Sequence, residues 1–345
     1  MLAAIHTELQ LRQDYLQGQP VKTIYFGGGT PSMLTAQEVE AIIDQIGKHY
    51  PLHHVQEVTL EGNPDDLTYK KLQALKQAGI NRLSIGIQSF NEQALQFMNR
   101  AHNARESLQC IEAAQRAGFT NYNLDLIYAI PVLDEAAWVH DVATLLAAQP
   151  KHISAYCLTI EEGTAFGHWL KQGRLTPIDE NLAADQLQYL NQRLGDAGFE
   201  HYEVSNYAQP GALSKHNSSY WQQQPYLGLG PSAHSYNGKT RQYAVRHNAK
   251  YINMLAAGTL PLTEEVLTPT ERANELLLTG LRTKWGCSLK DVQGLTGIDL
   301  SHAHSNYLNG LVNAGYATLA NRHLTLTEQG LSLADEITAQ LFIEH

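Results

Sequence analysis

Short segments rich in β-branched and aromatic residues alternate with helix-period segments over the first half of this 345-residue chain. Thr35 with Glu38, and Asn103 with Glu106, have the spacing of capping boxes at the starts of two of the helices. Strands separated by helices favour βα units around a parallel sheet, and hence an α/β fold. The predicted strands are Val21 to Phe26, Val55 to Leu60, Arg82 to Ile87, Tyr122 to Ile127 and His152 to Leu158.

Polar or glycine residues near the end of each predicted strand recur at a regular interval. They lie 27 to 37 residues apart, close to the ~30 residues of a βα repeat. Parallel strands bring their carboxyl ends to one rim, where βα barrels build their sites, so we expect all five positions to lie near one rim and the first four of them to converge on one ligand-sized hollow. They are Gly29, Glu61, Gln88, Asp125 and Thr159.

The second half of the chain has a different pattern, with helices and loops rich in Tyr and His. Near its end the pattern predicts helices followed by a short hairpin, Tyr316 to Leu326. Such a tail can resemble a DNA-binding winged helix, but its acidic residues outnumber its basic ones, which favours a packing role. The predicted parts are a partial barrel, 1–172, a connecting region, 173–267, and a C-terminal domain, 268–345.

Composition excludes several classes of function. The formal charge of -10, without a long basic run, argues against nucleic acid as a partner. No apolar stretch reaches the ~20 residues that span a bilayer, and the N-terminus lacks a signal-peptide pattern, so we expect a cytoplasmic protein with at most peripheral membrane contact. Cys110, Cys157 and Cys287 lie far apart and are expected to be small buried hydrophobes.

The glycine run Gly27 to Gly29, followed by Thr30, directly follows a predicted strand. Glycines permit positive φ and let a ligand approach the backbone, although a tight βα turn without a ligand uses the same residues. Glu61, at the end of the next strand, can bind an amine or a ribose hydroxyl, or it can be a solvated loop acid. These residues alone leave both interpretations open.

Asp125 lies in an otherwise apolar strand, on the same face as Asn123 and Ile127. A buried carboxylate without a partner is costly, so we expect either a partner, with Arg100 as the candidate, or a ligand. A structural ion pair is the alternative. Gln88 ends the preceding strand and can both donate and accept a hydrogen bond at the same rim.

The segment HNSSYW, residues 216 to 221, suggests a second site. His216 can offer an imidazole to haem iron, and Tyr220 and Trp221 can pack against a porphyrin face. The alternative is a histidine bonded to the backbone beside two core aromatics. Candidate partners for the haem propionates are Lys215, Arg241 and Arg246.

These motifs together resemble a known family. GGGTPS (27 to 32), EGNP (61 to 64), RLSIGIQSF (82 to 90), NRAHN (99 to 103), NLDLIY (123 to 128) and HISAYCLTIEEGT (152 to 164) are similar to the core of radical S-adenosylmethionine (SAM) proteins of the HemN/HemW group. YEVSNYA (202 to 208), HNSSYW and YLGLGPSAHS (226 to 235) resemble HemW-type haem chaperones. The resemblance implies a partial (βα)6-type barrel with a smaller, mostly helical C-terminal domain.

The resemblance also implies roles for individual residues. In the family, the glycine motif and the acid of the next motif contact SAM, and the aspartate holds its ribose. The HNSSYW motif is associated with haem, so His216, Tyr220 and Trp221 are the expected haem contacts, with haem-acceptor proteins as partners. The positions that correspond to the family's SAM site are Gly28, Gly29, Thr30, Glu61, Gln88, Arg100 and Asp125, with Thr159 and the Gly228 to His234 stretch completing the pocket.

One departure from the family is informative. Members carry a CxxxCxxC motif, on the loop after the first barrel strand, whose thiolates hold a 4Fe–4S cluster; this sequence has no such motif. Met1 to Leu16 resembles the helix after that loop, so the first strand is expected to be lacking as well. Truncation and true loss of radical chemistry both explain this, and the preserved SAM-contact positions favour truncation. No metal ligand and no catalytic residue is therefore assigned.

Three functions from different classes follow from the resemblance. The first is a haem-trafficking chaperone that binds SAM and haem and delivers haem to acceptor proteins. The second is an oxygen-independent coproporphyrinogen III oxidase, a radical decarboxylase that requires the cluster. The third is a cluster-less homologue that binds SAM without catalysis. The HNSSYW segment favours the first.

Overall fold

A computed structural model describes residues 1–176 and 179–344 of the chain. Its main sheet begins with five parallel strands joined by helices, as the alternating pattern predicts. All five predicted strands are confirmed, with bounds that differ by no more than two residues. The strands are β1 (Thr23–Phe26), β2 (Glu57–Gly62), β3 (Arg82–Gln88), β4 (Tyr122–Tyr128) and β5 (His152–Cys157).

Two further strands form an antiparallel hairpin that extends this sheet. They are β6 (Glu200–Glu203) and β7 (Asn206–Ala208), and the sheet order is β1-β2-β3-β4-β5-β7-β6. Strand β7 pairs antiparallel with β5. The sequence did not indicate this hairpin, because segments of four and three residues are too short for a two-residue alternation to be recognised.

Helices connect the strands and cover the outer face of the sheet. Both predicted capping boxes are present, with Thr35 and Glu38 at one helix start and Asn103 and Glu106 at another. The helices up to the hairpin are α1 (Leu2–Leu11), α2 (Ala36–His49), α3 (Tyr69–Gln77), α4 (Glu92–Phe97), α5 (Ala104–Arg116), α6 (Glu135–Ala147), α7 (Ala165–Lys171) and α8 (Glu180–Asp196), with 3-10 turns at Pro31–Met33 and Pro64–Asp66.

The two faces of the sheet differ in polarity. Along β1, Ile24 and Phe26 are buried in the large apolar core beneath the helices. Thr23 and Tyr25 alternate with them and face the inner side of the curved sheet. Because neighbouring residues of a strand point to opposite faces, polar residues at alternate positions of β3, β4 and β5 share the inner side, as the hydrogen bonds among Ser84, Asn123 and Ser154 show. The apolar core therefore stabilises the barrel, and the inner face carries the polar side chains that can bind a ligand.

The rest of the chain forms a small antiparallel sheet and a mostly helical C-terminal domain with its own apolar core. The predicted hairpin is confirmed. The elements are α9 (Lys215–Trp221), β8 (His234–Tyr236), β9 (Thr240–Ala244), α10 (Asn248–Ala256), β10 (Leu262–Val266), α11 (Pro269–Leu281), β11 (Cys287–Ser288), α12 (Leu289–Thr296), α13 (Leu300–Ala303), α14 (Ser305–Asn313), β12 (Ala317–Ala320), β13 (His323–Leu326), α15 (Glu328–Leu331) and α16 (Ala334–Leu341).

The α/β partial barrel with a smaller, mostly helical C-terminal domain is thus confirmed. The division into 1–172, 173–267 and 268–345 stays a prediction, and β6 and β7 of the middle part belong to the barrel sheet. No helix in the described part of the chain is long and apolar enough to cross a membrane.

Both edges of the main sheet are covered. Helix α9 packs against the edge strand β1 and against α11. At the other edge, the amide of Val204 donates to the carbonyl of Arg282, and the amide of Lys284 donates to that of Tyr202. The inner face therefore lies between α9 on one side and the C-terminal domain on the other.

Candidate functional site

The glycine loop after β1 forms an open cradle at the rim of the sheet. Gly28 and Gly29 have φ of 69° and 66°, which L side chains rarely adopt, and no atom lies within 4 Å of where their Cβ atoms would be. Thr30, also exposed, precedes the 3-10 turn. The backbone of this loop is therefore free to approach a ligand.

Glu61, at the end of β2, lies beside this cradle. Its Oε2 accepts from the Gly28 amide at 3.3 Å, and its Oε1 accepts from the Tyr25 hydroxyl at 2.6 Å. Burial, and next the Glu61 carboxylate, raise the pKa of Tyr25 well above its usual range, so the phenol stays protonated as a donor. No described Lys, Arg or His forms an ion pair with Glu61. Its carboxylate can accept a cation from a ligand.

A second group of polar side chains surrounds Gly86 in β3. A Cβ atom on Gly86 would lie 2.9 Å from Gln88 Nε2, 3.5 Å from Arg100 Nη2 and 3.8 Å from Asn63 Oδ1. Gln88 has a φ of 67°, a left-handed conformation that is uncommon for a non-glycine residue. Arg100 Nη2 donates to Asn63 Oδ1 at 2.7 Å, while its buried Nε has no protein partner. Because glycine has no side chain, the polar groups of Gln88, Arg100 and Asn63 can lie close together at the rim beside Gly86.

Asp125 lies deep on the inner face of β4. Its pKa is raised to about 6, chiefly by burial and further by the Glu61 carboxylate, although the hydrogen bond from Asn123 opposes the rise. Asn123 Nδ2 donates to Asp125 Oδ1 at 2.5 Å. The expected pairing with Arg100 is wrong, since Arg100 donates to Asn63 instead and no described cation forms an ion pair with Asp125. The buried amide of Asn123 takes the place of the cation.

Asn123, the partner of Asp125, belongs to a hydrogen-bond network that the sequence did not indicate. His152 Nδ1 donates to Asn123 Oδ1 at 2.7 Å, which leaves Nε2 to accept from the Tyr202 hydroxyl at 2.7 Å. Burial lowers the pKa of His152 well below its usual range, so the imidazole is neutral. Both ring nitrogens of His152 and the side-chain amide of Asn123 have hydrogen-bond partners. The orientation of Asn123 is therefore fixed.

The same network continues to the antiparallel hairpin. Asn123 Nδ2 donates to Ser154 Oγ at 2.9 Å, and Ser154 Oγ donates to Asn206 Oδ1 at 2.6 Å. Asn206 Nδ2 in turn donates to the buried carboxylate of Glu203. A continuous path of hydrogen bonds thus connects Asp125 to the edge of the sheet that meets the C-terminal domain.

Two of the expected pocket residues lie at the surface. Thr159 is exposed, and its hydroxyl donates to the Cys157 carbonyl at 3.4 Å. His234 is exposed, with its ring 5.8 Å from that of Tyr243. No contact joins either residue to the cradle or to Asp125 in the described structure, so their roles stay predictions.

A buried ion pair on α1, also missed by the sequence interpretation, holds the loop that precedes His234. Arg12 Nη1 lies 3.1 Å from Glu8 Oε1 and donates to the Gly228 carbonyl at 3.0 Å. Glu8 Oε2 accepts from the Gly230 amide at 2.9 Å. Charged groups that sit i,i+4 on a helix are common, and nothing in their spacing predicts burial.

Helix α9 carries the HNSSYW segment against the inner side of β1. The His216 ring stacks on the Tyr25 ring, with centroids 4.6 Å apart and planes at 14°. His216 Nδ1 lies 2.8 Å from Thr23 Oγ1, and Nε2 lies 2.9 Å from the Tyr220 hydroxyl. Burial lowers the pKa of His216 to about 4. The Glu57 carboxylate accepts from the His216 amide at 3.0 Å and anchors the start of the helix.

The other expected haem contacts surround this histidine. Tyr220 is 41% exposed and Trp221 is half-buried, so both retain surface for a ligand. Lys215 Nζ donates to Gln56 Oε1 at 2.6 Å, and Arg241 pairs with Glu275 at 2.5 Å. Arg246 is exposed. These three cations stay candidates for propionate binding.

The three cysteines are not arranged as a cluster site. Cys110 and Cys287 are buried as expected, and burial raises the pKa of each thiol to about 12. The expectation of burial is wrong for Cys157, which is exposed. It is the last residue of β5, at the point where the adjacent strand β4 also ends. Among the described residues no group of three or more His, Cys, Asp or Glu could hold a metal ion.

Comparisons with known proteins agree with this architecture. A family profile described as the Radical SAM superfamily matches residues 7–145, and one described as the HemN C-terminal domain matches residues 267–333. In structure, the chain is similar to the protein described as coproporphyrinogen III oxidase (HemN) from Escherichia coli, with a TM-score of 0.84 over 99% of this chain and 82% of that one. At 19% identity, this likeness shows the fold alone.

Relatives in sequence are closer. The heme chaperone HemW of Bacillus subtilis is 34% identical over 93% of this chain and 85% of its own length. The mitochondrial radical S-adenosyl methionine domain-containing protein 1 of Bos taurus is 36% identical over 93% of this chain and 75% of its own length. Each of these matches covers more than nine tenths of the chain, and the chain therefore belongs to the HemW family of radical SAM proteins.

Proposed function

We propose that this protein binds SAM at the rim of its partial barrel, binds haem beside α9, and passes the haem to acceptor proteins. The observation that carries the proposal is the position of the HNSSYW helix, with His216 stacked on the inner side of β1 next to Glu61 and the glycine cradle. The names of the sequence relatives support haem as the cargo.

The residues at the rim fit SAM. Glu61 has a carboxylate without a described cation, which suits the ammonium of the methionine part, and the Gly28 and Gly29 backbone suits its carboxylate. Asp125 accepts ribose hydroxyls, and the buried Nε of Arg100 lacks a partner that a ligand oxygen would supply. When bound in this family, SAM supplies the radical chemistry together with the iron–sulfur cluster. The protein's own residues bind and orient it.

The residues of this sequence do not fit the cluster. Three thiolates within reach of one another are required, and Cys110 and Cys287 are buried in separate apolar cores while Cys157 is in a strand. We therefore derive no radical step and assign no catalytic residue. Haem binding and transfer need neither.

The surroundings of His216 suit a haem ligand. In the tautomer that donates from Nδ1 to Thr23, Nε2 keeps its lone pair and accepts from Tyr220. A ligating histidine commonly has its other nitrogen bonded in this way, which fixes the ring. The lowered pKa keeps the imidazole neutral at physiological pH, as ligation requires. Iron would replace the Tyr220 hydroxyl at Nε2, and the freed phenol ring can pack on the porphyrin.

Haem titration of the isolated protein tests this proposal. His216→Ala should weaken haem binding at least tenfold and change the Soret band, whereas His53→Ala, an exposed histidine in a loop, serves as the matched control. An unchanged Soret band and affinity in His216→Ala would remove this residue from the site.

SAM binding is tested separately by calorimetry without a reductant. Glu61→Gln should weaken SAM binding by about tenfold, corresponding to about 1.4 kcal/mol, because the charge-assisted hydrogen bond to the ammonium is lost. Glu40→Gln, an exposed residue of α2, is the matched control. Equal affinities for the two variants would refute the assignment of Glu61.

Coproporphyrinogen III oxidase activity is the second candidate, favoured by the fold shared with HemN. It requires the cluster for which this sequence offers no ligands. Anaerobic iron–sulfur reconstitution followed by a coproporphyrinogen turnover assay distinguishes the two. We expect almost no cluster and no turnover; stoichiometric cluster and turnover would establish the oxidase.

A further inference from the structure

Tyr25 contacts both of the proposed sites at once. Its hydroxyl donates to Glu61 Oε1 at 2.6 Å, and its ring stacks on the imidazole of His216 at a centroid distance of 4.6 Å. Along β1 it points to the inner face, midway between the cradle and α9. Neither proposed site uses Tyr25 as a ligand contact, although its side chain touches a residue of each.

The backbone next to Tyr25 is shaped to leave room for its ring. A Cβ atom on Gly27 would lie 2.5 Å from Tyr25 Cε1 and 3.1 Å from Glu61 Oε1. Any residue larger than glycine at position 27 would therefore displace the ring or the carboxylate. The glycine run thus serves the Tyr25–Glu61 pair as well as the ligand cradle.

His216 has different supports in its two binding states. Without haem, Thr23, Tyr25 and Tyr220 all hold the ring. With haem bound through Nε2, the Tyr220 bond is given up, and the protein holds the ring through Thr23 and the stack on Tyr25 alone. Fixing Tyr25 therefore favours the haem-bound state more than the free state, which is the condition for coupling two ligands.

We propose that Tyr25 is a positioning residue that couples the SAM site to the haem site, so that SAM on Glu61 tightens haem binding at His216 and haem tightens SAM binding by the same factor. This inference rests on the proposed function. The ammonium of SAM holds the Glu61 carboxylate in place, the carboxylate holds the Tyr25 hydroxyl, and the fixed ring lowers the conformational entropy that His216 loses on binding haem.

Haem titrations with and without saturating SAM, in the absence of a reductant, test the coupling. In the wild-type protein we expect SAM to tighten haem binding at least about fivefold. Tyr25→Phe keeps the stacked ring and removes the hydroxyl, and in this variant the ratio of the two haem affinities should fall to one. Tyr307→Phe, in α14 of the C-terminal domain, is the matched control and should keep the wild-type ratio.

A second variant addresses the ring itself. Gly27→Ala should weaken haem binding in the absence of SAM, because the added Cβ displaces Tyr25 from its place beneath His216. The coupling is refuted if SAM leaves the haem affinity of the wild-type protein unchanged, or if Tyr25→Phe keeps the wild-type ratio of the two haem affinities. Neither result would refute the two binding sites themselves. Failure of haem or SAM to bind the wild-type protein at all would instead remove the proposed function, and the coupling with it.

Discussion

The buried carboxyl group of Glu203 should make the stability of the protein depend on pH, and this dependence can be measured without any ligand. The side chain is 1% exposed at the end of β6. Burial raises its pKa from 4.5 to about 7, and the backbone hydrogen bond from Ser205 and the charge of Arg282 offset part of this rise. At 1.36 kcal/mol per pKa unit, the difference corresponds to roughly 3 kcal/mol.

The sign of this pH dependence follows from which state, folded or unfolded, binds the proton of Glu203 more tightly. The folded-state pKa is the higher one, so the contribution of Glu203 is fully present below about pH 4.5 and is lost as pH rises through about 7. Asp125, with a pKa of about 6, has the same sign, whereas His201, lowered to about 4 chiefly by burial, has the opposite one. The difference between the wild type and Glu203→Gln isolates the single group.

Urea denaturation followed by tryptophan fluorescence at pH 5, 6.5 and 8 provides the measurement. The free energy of unfolding of Glu203→Gln relative to the wild type should rise by roughly 2 to 3 kcal/mol from pH 5 to pH 8, because the variant has no carboxylate to ionise. Glu200→Gln, on the same strand but paired with Lys284 at the surface, is the control and should change stability by about 1 kcal/mol at most. Parallel pH profiles for the wild type and Glu203→Gln would refute the reasoning.

Three other predictions concern single contacts. Arg12→Ala should lower the free energy of unfolding by ~3–5 kcal/mol, since it leaves the Glu8 carboxylate buried without its cation; a loss below about 1 kcal/mol in urea denaturation would contradict this. Gly330→Ala places a Cβ atom against the Tyr316 carbonyl and should lower the melting temperature, whereas Gly310→Ala, in α14 with open space around it, should stabilise the protein by about 0.5–1 kcal/mol. Asp125→Asn should weaken SAM binding in calorimetry by about tenfold; an unchanged affinity would exclude the ribose contact.

Local patterns allowed much of the barrel to be predicted from the sequence. The five parallel strands and the capping boxes at Thr35 and Asn103 depend on residues within a few positions of one another, and each was confirmed. The same regular spacing indicated which residues end the strands at one rim. Family motifs then indicated a HemW-type radical SAM protein, which the sequence relatives bear out.

Contacts between distant segments were decided by the tertiary structure alone. The stack of His216 on Tyr25 joins residues about 190 positions apart. The buried Arg12 and Glu8 bond to Gly228 and Gly230, which lie 216 and 222 positions away. Asp125 received an amide partner in place of the expected Arg100. Strand and helix periodicity record only which face a residue occupies, whereas the identity of the neighbour across that face depends on how the whole sheet curves and which helix covers its edge.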